Sequence, residues 1–272
     1  MSSNYILLDK PITLSPLQAI NKLKILNPKL QNQKVGYAGR LDPMAEGLLL
    51  LLIGDENKKR KQYERLDKEY EFEVLLGIET DSYDILGLIE KIHEEDLEIR
   101  NLELEISKVL NKITRTLEQP YPPYSATRVN GKPLYYWARE GKIDQVTIPR
   151  KKITIHSLEL NTVTPVKMSD IYPEVVSRIQ AVKGKFRQTK IIKKWNQTVE
   201  QYSNLAIKQL SFNISCSSGT YVRSIAHQIG QKLGFGGIAY TIKRIMIGPY
   251  KLKDALNISN IKQDSTHRKQ AH

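Results

Sequence analysis

The chain of 272 residues has a single cysteine, Cys216, and five scattered histidines: His93, His156, His227, His267 and His272. One thiol excludes an internal disulfide framework and a cysteine-rich zinc site, and the histidines have no metal-ligand spacing. Cys216 falls on an alternating apolar pattern and reads as an inert core thiol. No apolar run approaches the roughly 20 residues needed to cross a bilayer; the longest is Leu48 to Ile53. The start, Met-Ser-Ser-Asn-Tyr-Ile, has neither a basic n-region nor a long apolar h-region, so no secretory signal is expected. Acid is also scarce: 29 Asp and Glu face 42 Lys and Arg, a formal charge of +13. Such an excess suits a polyanionic partner. These absences together predict a cytoplasmic, metal-free protein.

The cations are unevenly placed. Lys58, Lys59, Arg60, Lys61 and Arg65 cluster after the apolar run, and Lys183, Lys185, Arg187, Lys190, Lys193 and Lys194 form an acid-free stretch. Glu90 to Glu105 is acidic and is expected to face away from a nucleic acid. One-sided charge of this kind fits docking on a phosphate backbone.

Hydrophobic at 40% and charged at 26%, the composition is that of a globular chain. Ser15-Pro16 predicts a capped helix through Leu17, Ile20 and Leu23 to about Leu26. Residues 35–43, with Gly36, Gly39 and Pro43, read as a structured loop, and an apolar helix start is expected after Pro43. Tyr70, Phe72, Val74 and Leu76 alternate as one face of a strand. Ile106, Val109, Leu110, Ile113 and Leu117 follow helical spacing, and residues 119–124 predict an extended loop. Leu210, Phe212, Ile214 and Cys216 alternate as a strand ending at Ser217-Ser218-Gly219. Val222, Ile225, Ala226, Ile229 and Leu233 make an amphipathic helix that Gly234 ends. Strands and helices mix without a regular βαβ rhythm, which predicts an α+β fold around one mixed sheet. The tail from Ser259 is polar and is expected to fray.

Asp42 stands between a glycine-punctuated loop and a proline. The expected turn and helix N-terminus hold such a carboxylate stiffly and favour its charge. A positioned, ionised carboxylate is a usable nucleophile or base. For an arbitrary Asp-Pro, though, helix capping is the commoner role. On the same footing Tyr70 reads as a core aromatic, Arg223 as a surface cation, and Asp81 and Asp84 as solvated turn acids.

Gly39-Arg-Leu-Asp-Pro-Met-Ala-Glu-Gly-Leu-Leu49 resembles the pseudouridine synthase motif of the TruB family, usually Gly-(Thr or Ala)-Leu-Asp-Pro-x-Ala-x-Gly-x-Leu. Four further segments resemble that family in the same order. They are Leu8-Asp9-Lys10-Pro11, Asp67-Lys68-Glu69-Tyr70, the thumb segments Tyr124-Ser125-Ala126 and Gly131-Lys132-Pro133-Leu134-Tyr135, and Ser218-Gly219-Thr220-Tyr221-Val222-Arg223-Ser224. The resemblance spans roughly residues 5–255 and implies the pseudouridine synthase fold, with a mixed, mainly antiparallel central sheet flanked by helices and RNA-binding loops. It implies an isomerase for a uridine of the tRNA T-arm loop, by family convention uridine 55.

The resemblance also implies roles. Asp42 is the catalytic carboxylate, Tyr70 stacks on the flipped base, and Arg223 pairs with Asp42. Tyr221 and Ile242 line the pocket, Lys243 and Arg244 meet phosphates, and Lys10 supports the active-site loop. Tyr37 and Arg40 belong to the substrate-binding set. A uridine in a folded loop must leave its stack before C1′ or C6 can be reached. The isomerisation is neutral overall, so no metal or redox cofactor is expected. The expected partner is tRNA, without a membrane, and the protein is expected to be a monomer.

Three features depart from the family. Tyr37 stands where a histidine is usual, which predicts altered binding with catalysis kept. Arg40 replaces a small residue and resembles synthases of ribosomal RNA. Residues 165–205 exceed the short family connection and predict an extra RNA contact. The thumb is expected at about residues 118–150, inside a catalytic domain of residues 1–255. The polar tail is residues 256–272, and the accessory RNA-binding domain of many relatives is expected to be absent or vestigial. A synthase for another RNA and a non-catalytic tRNA-binding module stand as the alternatives.

Overall fold

The computed structural model describes residues 4–94, 101–184 and 186–258. Lys185, part of the acidic stretch (residues 95–100) and the polar tail from Ser259 lie outside the described residues. Two compact units emerge: Met1–Lys68 with Lys243–His272, and Glu69–Ile242.

In chain order the chain forms β1 (Tyr5–Lys10), α1 (Pro16–Leu26), β2 (Val35–Ala38), β3 (Glu46–Ile53), α2 (Arg60–Glu64) and β4 (Lys68–Leu76). Next come β5 (Ile78–Thr80), β6 (Ile89–Ile92), α3 (Leu102–Ile113), β7 (Thr116–Pro120), β8 (Arg128–Val129), β9 (Lys132–Pro133) and α4 (Leu134–Arg139). Then follow β10 (Arg150–Lys167), α5 (Met168–Ala181), α6 (Gln188–Tyr202) and β11 (Ala206–Cys216). The last are α7 (Val222–Leu233), β12 (Gly237–Ile247), β13 (Tyr250–Lys251) and β14 (Leu256–Asn257).

In the first unit β3 is the central strand. One edge pairs antiparallel with β1, from Tyr5 opposite Leu52 to Lys10 opposite Gly47. The opposite edge is shared: β2 covers Leu50 to Ile53, while Lys243 and Arg244 of β12 pair parallel with Glu46 and Gly47. Leu48, Leu50 and Leu52 pack with Ala38 and Ile247 on one face. Leu49 and Leu51 pack with Leu8, Ala19, Ile20 and Leu23 on the other.

The helix expected after Pro43 is therefore a strand. A leucine run shows neither period, and a strand buried on both faces reads as one apolar block. Val35 to Ala38, expected as loop, is the strand β2; the loop proper is residues 39–45. The capped helix is as expected: Ser15 accepts from the Gln18 N–H, and the Gln18 side chain accepts from the Ser15 N–H.

In the second unit the strand order is β12–β4–β11–β10–β7. Tyr70, Phe72, Val74 and Leu76 are buried on β4, as their alternation predicts. β10 and β11 pair antiparallel from Ile155 opposite Cys216 to Lys167 opposite Ala206. Leu117 belongs to β7 and pairs with Ile153, so the helical spacing stops at Ile113. Antiparallel pairing dominates, with parallel pairs at β1–β14 and β3–β12, and the α+β class holds.

Within residues 165–205, α5 and α6 form a helical hairpin at the far end of the β10–β11 pair. The hairpin buries Met168, Ile171, Val175 and Ile179 of α5 and Ile191 and Trp195 of α6. Lys190, Lys193 and Lys194 of α6 are exposed. Among the described residues no helix is long and apolar enough to cross a membrane.

Candidate active site

Asp42 lies in the loop that carries the chain from β2 back into β3, and three ties fix that loop. The Ala45 N–H donates to the Asp42 carbonyl at 3.1 Å, closing a turn. The Thr13 N–H donates to the Pro43 carbonyl at 2.6 Å, with Thr13 itself at φ 82°. Arg244, 1% exposed, donates from Nε to the Leu48 carbonyl at 2.7 Å. Its Nη1 and Nη2 each lie 3.3 Å from the carbonyls of Arg40 and Gly39. Arg244 thus fills the place where β2 and β12 part along the edge of β3. The sequence pointed Arg244 at phosphates, whereas here its guanidinium is occupied by backbone carbonyls. Lys243 beside it is half-buried and Arg40 is exposed.

The approach of β12 to β3 depends on Gly47. Its φ is +97°, and a Cβ there meets the Arg244 carbonyl oxygen at 2.4 Å. Only glycine combines that backbone conformation with such contact.

Lys10 is fully buried, and its Nζ donates to the carbonyls of Pro11 at 2.9 Å and Leu14 at 2.7 Å. It therefore shapes the segment whose Thr13 holds Pro43. Burial lowers the ammonium to about 7; Arg244 pushes the same way, while the carboxylates of Asp42, Glu46 and Asp9 oppose it. No helix begins beside Asp42, so the expected helix dipole is not part of its surroundings. Nearby Lys10, when protonated, is the positive charge that faces it instead. Tyr37 sits on β2 with the Arg60 guanidinium 5.2 Å from its ring centroid.

In the second unit Arg223 is 3% exposed on the first turn of α7. Its Nη1 donates to the Ser82 carbonyl at 2.7 Å and its Nη2 to the Tyr124 carbonyl at 3.2 Å. Its Nε lies 3.6 Å from Oδ2 of Asp84. Asp84 is itself buried and accepts from the Ser82 hydroxyl and from the Leu86 N–H at 3.0 Å. The expected solvated turn acid is thus a buried partner of the candidate arginine. Asp81 is likewise engaged, by Tyr124 at 3.0 Å, by the Leu88 N–H at 2.9 Å and by Arg187. Both acids sit in a short turn whose residue Tyr83 has φ 66°. A lone Asp on a turn is normally solvated, so composition gave no sign of this burial.

Tyr221 caps α7, and its ring centroid lies 6.0 Å from the Arg223 guanidinium and 5.7 Å from the Tyr121 ring. Tyr70 and Ile242 are buried on β4 and β12. The structure thus brings Asp42, Lys10, Arg40 and Arg244 around one loop in the first unit. It gathers Arg223 and Tyr221 with Asp84 and Tyr124 in the second.

The N-terminal domain model of the TruB family pseudouridylate synthases matches residues 27–186. The tRNA pseudouridine synthase B of Aquifex aeolicus is 30% identical over 253 residues, 93% of this chain and 71% of that protein. Its counterpart from Francisella tularensis is 32% identical, covering 97% of this chain and 71% of that protein. The Lactobacillus delbrueckii subsp. bulgaricus protein of the same name is 30% identical, with 98% and 76% covered. Among solved structures, a chain of a Cbf5–Nop10–Gar1 complex superposes with a TM-score of 0.57 at 17% identity. A chain of an archaeal box H/ACA Nop10–Cbf5 complex gives 0.53 at 15%. Each of these alignments covers 94% of this chain and 52% of the other, about half its length, and supports the fold alone.

Proposed function

The chain belongs to the TruB family of pseudouridylate synthases, and on that footing we propose that it converts uridine 55 in the T-arm loop of tRNA to pseudouridine. The observation that carries this reading is Asp42, held in a turn whose flanks are tied by Thr13 and Arg244. A carboxylate fixed in this way reacts without first being ordered.

The target uridine leaves its stack and enters the site. Asp42 acts on the flipped nucleotide, the bond between N1 and C1′ breaks, and the uracil ring turns. C5 then bonds to C1′, and the proton on C5 is lost to a base. Atoms balance, because N1 gains a proton as C5 gives one up. Tyr70 stacks on the base, and Tyr221 and Ile242 line its pocket. Arg223 serves as the ionic partner of the Asp42 carboxylate, a role supported by its motif and by a guanidinium already oriented by two carbonyls. Lys10 and Arg244 support the loop, while Arg40, Lys243 and Tyr37 meet the RNA. The hairpin lysines add a further backbone contact, supported by their exposure on one helix. The protein works in the cytoplasm, as a monomer.

The test is tritium release from C5-labelled uridine in an unmodified tRNA transcript, with wild type beside Asp42→Ala and the modified position mapped. Release by wild type alone, mapped to the T loop, is the expected result. Release that maps to another site, or occurs only with ribosomal RNA, reassigns the substrate. Tight binding without release by either protein leaves a binding module and removes the isomerase.

A further inference from the structure

We propose that Arg187, at the tip of the helical hairpin, is a positioning residue for the reaction, holding the two segments that orient Arg223. The inference rests on the isomerase reading above.

Arg187 grips Asp81 with both guanidinium arms, Nη1 to Oδ2 at 2.6 Å and Nη2 to Oδ1 at 3.1 Å. The same guanidinium lies 4.4 Å from the centroid of the Tyr124 ring. Tyr124 closes the arrangement by donating its hydroxyl to Asp81 Oδ2 at 3.0 Å. Burial and the Asp81 carboxylate push the Tyr124 phenol up, so it remains a donor. One guanidinium therefore joins the turn at residues 81–84 to the loop carrying Tyr124.

Those two segments are the ones that hold Arg223. Nη1 of Arg223 uses the Ser82 carbonyl, Nη2 uses the Tyr124 carbonyl, and Nε faces Asp84. Moving Asp81 moves Ser82, and moving the Tyr124 ring moves its carbonyl. The contacts of Arg187 are with Asp81 and Tyr124, so it acts on Arg223 through both.

The backbone at Arg187 supports the assignment. It starts α6 in the left-handed region, at φ 63° and ψ 24°, where side chains other than Gly, Asn and Asp are uncommon. A surface tether has no need of that conformation. It persists where surroundings over-determine it, and here a two-armed ion pair and an aromatic face do so. The Arg187 and Asp81 side chains are 20% and 18% exposed, well short of a solvated bridge.

The experiment compares kcat and KM for tRNA in wild type, Arg187→Ala, Arg187→Lys, Asp81→Asn and the Arg187→Ala/Asp81→Asn pair. The single changes are expected to lower kcat by about tenfold or more while KM moves by less than about twofold. Arg187→Lys, which keeps charge but loses the fork, is expected to restore part of kcat. The pair is expected to be no slower than either single change. Emission from Trp195, buried in α6, reports whether the hairpin stays folded. Should Arg187→Ala unfold it, Asp81→Asn decides, because it leaves the hairpin sequence intact. Wild-type kcat in folded Asp81→Asn overturns the inference, as does a rise in KM alone, which makes Arg187 a docking tether. An inactive wild type is a separate outcome, overturning the isomerase reading and this inference with it.

Discussion

The side chain of Gln119 binds both backbone groups of Tyr221: its Oε1 accepts from the Tyr221 N–H at 2.8 Å and its Nε2 donates to the Tyr221 carbonyl at 3.2 Å. A primary amide here does what a neighbouring peptide does in a sheet. Tyr221 caps α7 without a side-chain cap of its own, and its carbonyl also accepts the first helical bond from Ile225. Gln119 therefore sets where α7 begins, two residues before Arg223.

Replacing Gln119 with Leu is expected to leave both Tyr221 groups without this partner at a buried place, lowering stability by about 1–3 kcal/mol. Gln119→Glu keeps the acceptor and loses the donor, so its loss is expected to be smaller unless the new carboxylate's burial dominates. Urea unfolding measures the stability of each variant.

Arg244→Lys tests the loop anchor. One ammonium cannot reach the carbonyls of Leu48, Gly39 and Arg40 together as the planar fork does. Stability is expected to fall by about 2–4 kcal/mol, with kcat reduced through the loosened Asp42 loop. Unchanged kcat in the folded variant shows that the anchor does not govern catalysis.

Lys10 predicts a pH effect with a definite sign. Its ordinary value is 10.5, and burial lowers it to about 7 in the folded chain. Between these values the unfolded chain keeps a proton that the folded chain has released, so Lys10 makes stability rise with pH. Below pH 7 both states are protonated, that slope vanishes, and the cost of burying the ammonium is present in full. Lys10→Met is expected to gain stability relative to wild type at pH 6 and to lose that relative gain towards pH 10. Unfolding curves at several pH values, read as the difference between the proteins, check the sign.

The α6 lysines predict a salt effect. Reversing Lys190, Lys193 and Lys194 to Glu is expected to weaken tRNA binding and flatten its dependence on salt, with the logarithmic slope falling by about 2–3 if each meets one phosphate. Equal slopes in filter binding from low to physiological salt place these lysines away from the RNA.

Patterns with a visible period were legible from the sequence: the Ser15 cap, the alternation on β4 and β11, and the stripe of α7. Asp42, Tyr70, Tyr221 and Arg223 came to notice through motif resemblance, since periodicity alone assigns an aspartate before proline to a cap. Where the period is hidden, the type of an element is not legible. The leucines of β3 pointed to a helix, and the strand β2 was masked by its glycine. Asp81 and Asp84 were hidden for another reason, because their burial depends on Arg187 and Arg223, over a hundred residues further along the chain. Arg187 looked like one cation among several. Neither composition nor spacing marks which member of a basic run turns inward.

The leucine strand has a consequence for how the protein is made. Because β3 is apolar on both faces, sliding it by one residue exchanges leucine for leucine and carries little hydrophobic penalty. Its alignment must come from its neighbours, and synthesis delivers them in a useful order. When β3 leaves the ribosome, β1 and β2 have already emerged, and together they offer partners for both of its edges. The greasiest ribbon of the nascent chain need never wait bare for a later segment, as an unpaired strand would at the risk of aggregation. On the β2 edge Glu46 to Leu49 stay open, and the first two of them wait for β12, which arrives near the end and is admitted because Gly47 has no side chain.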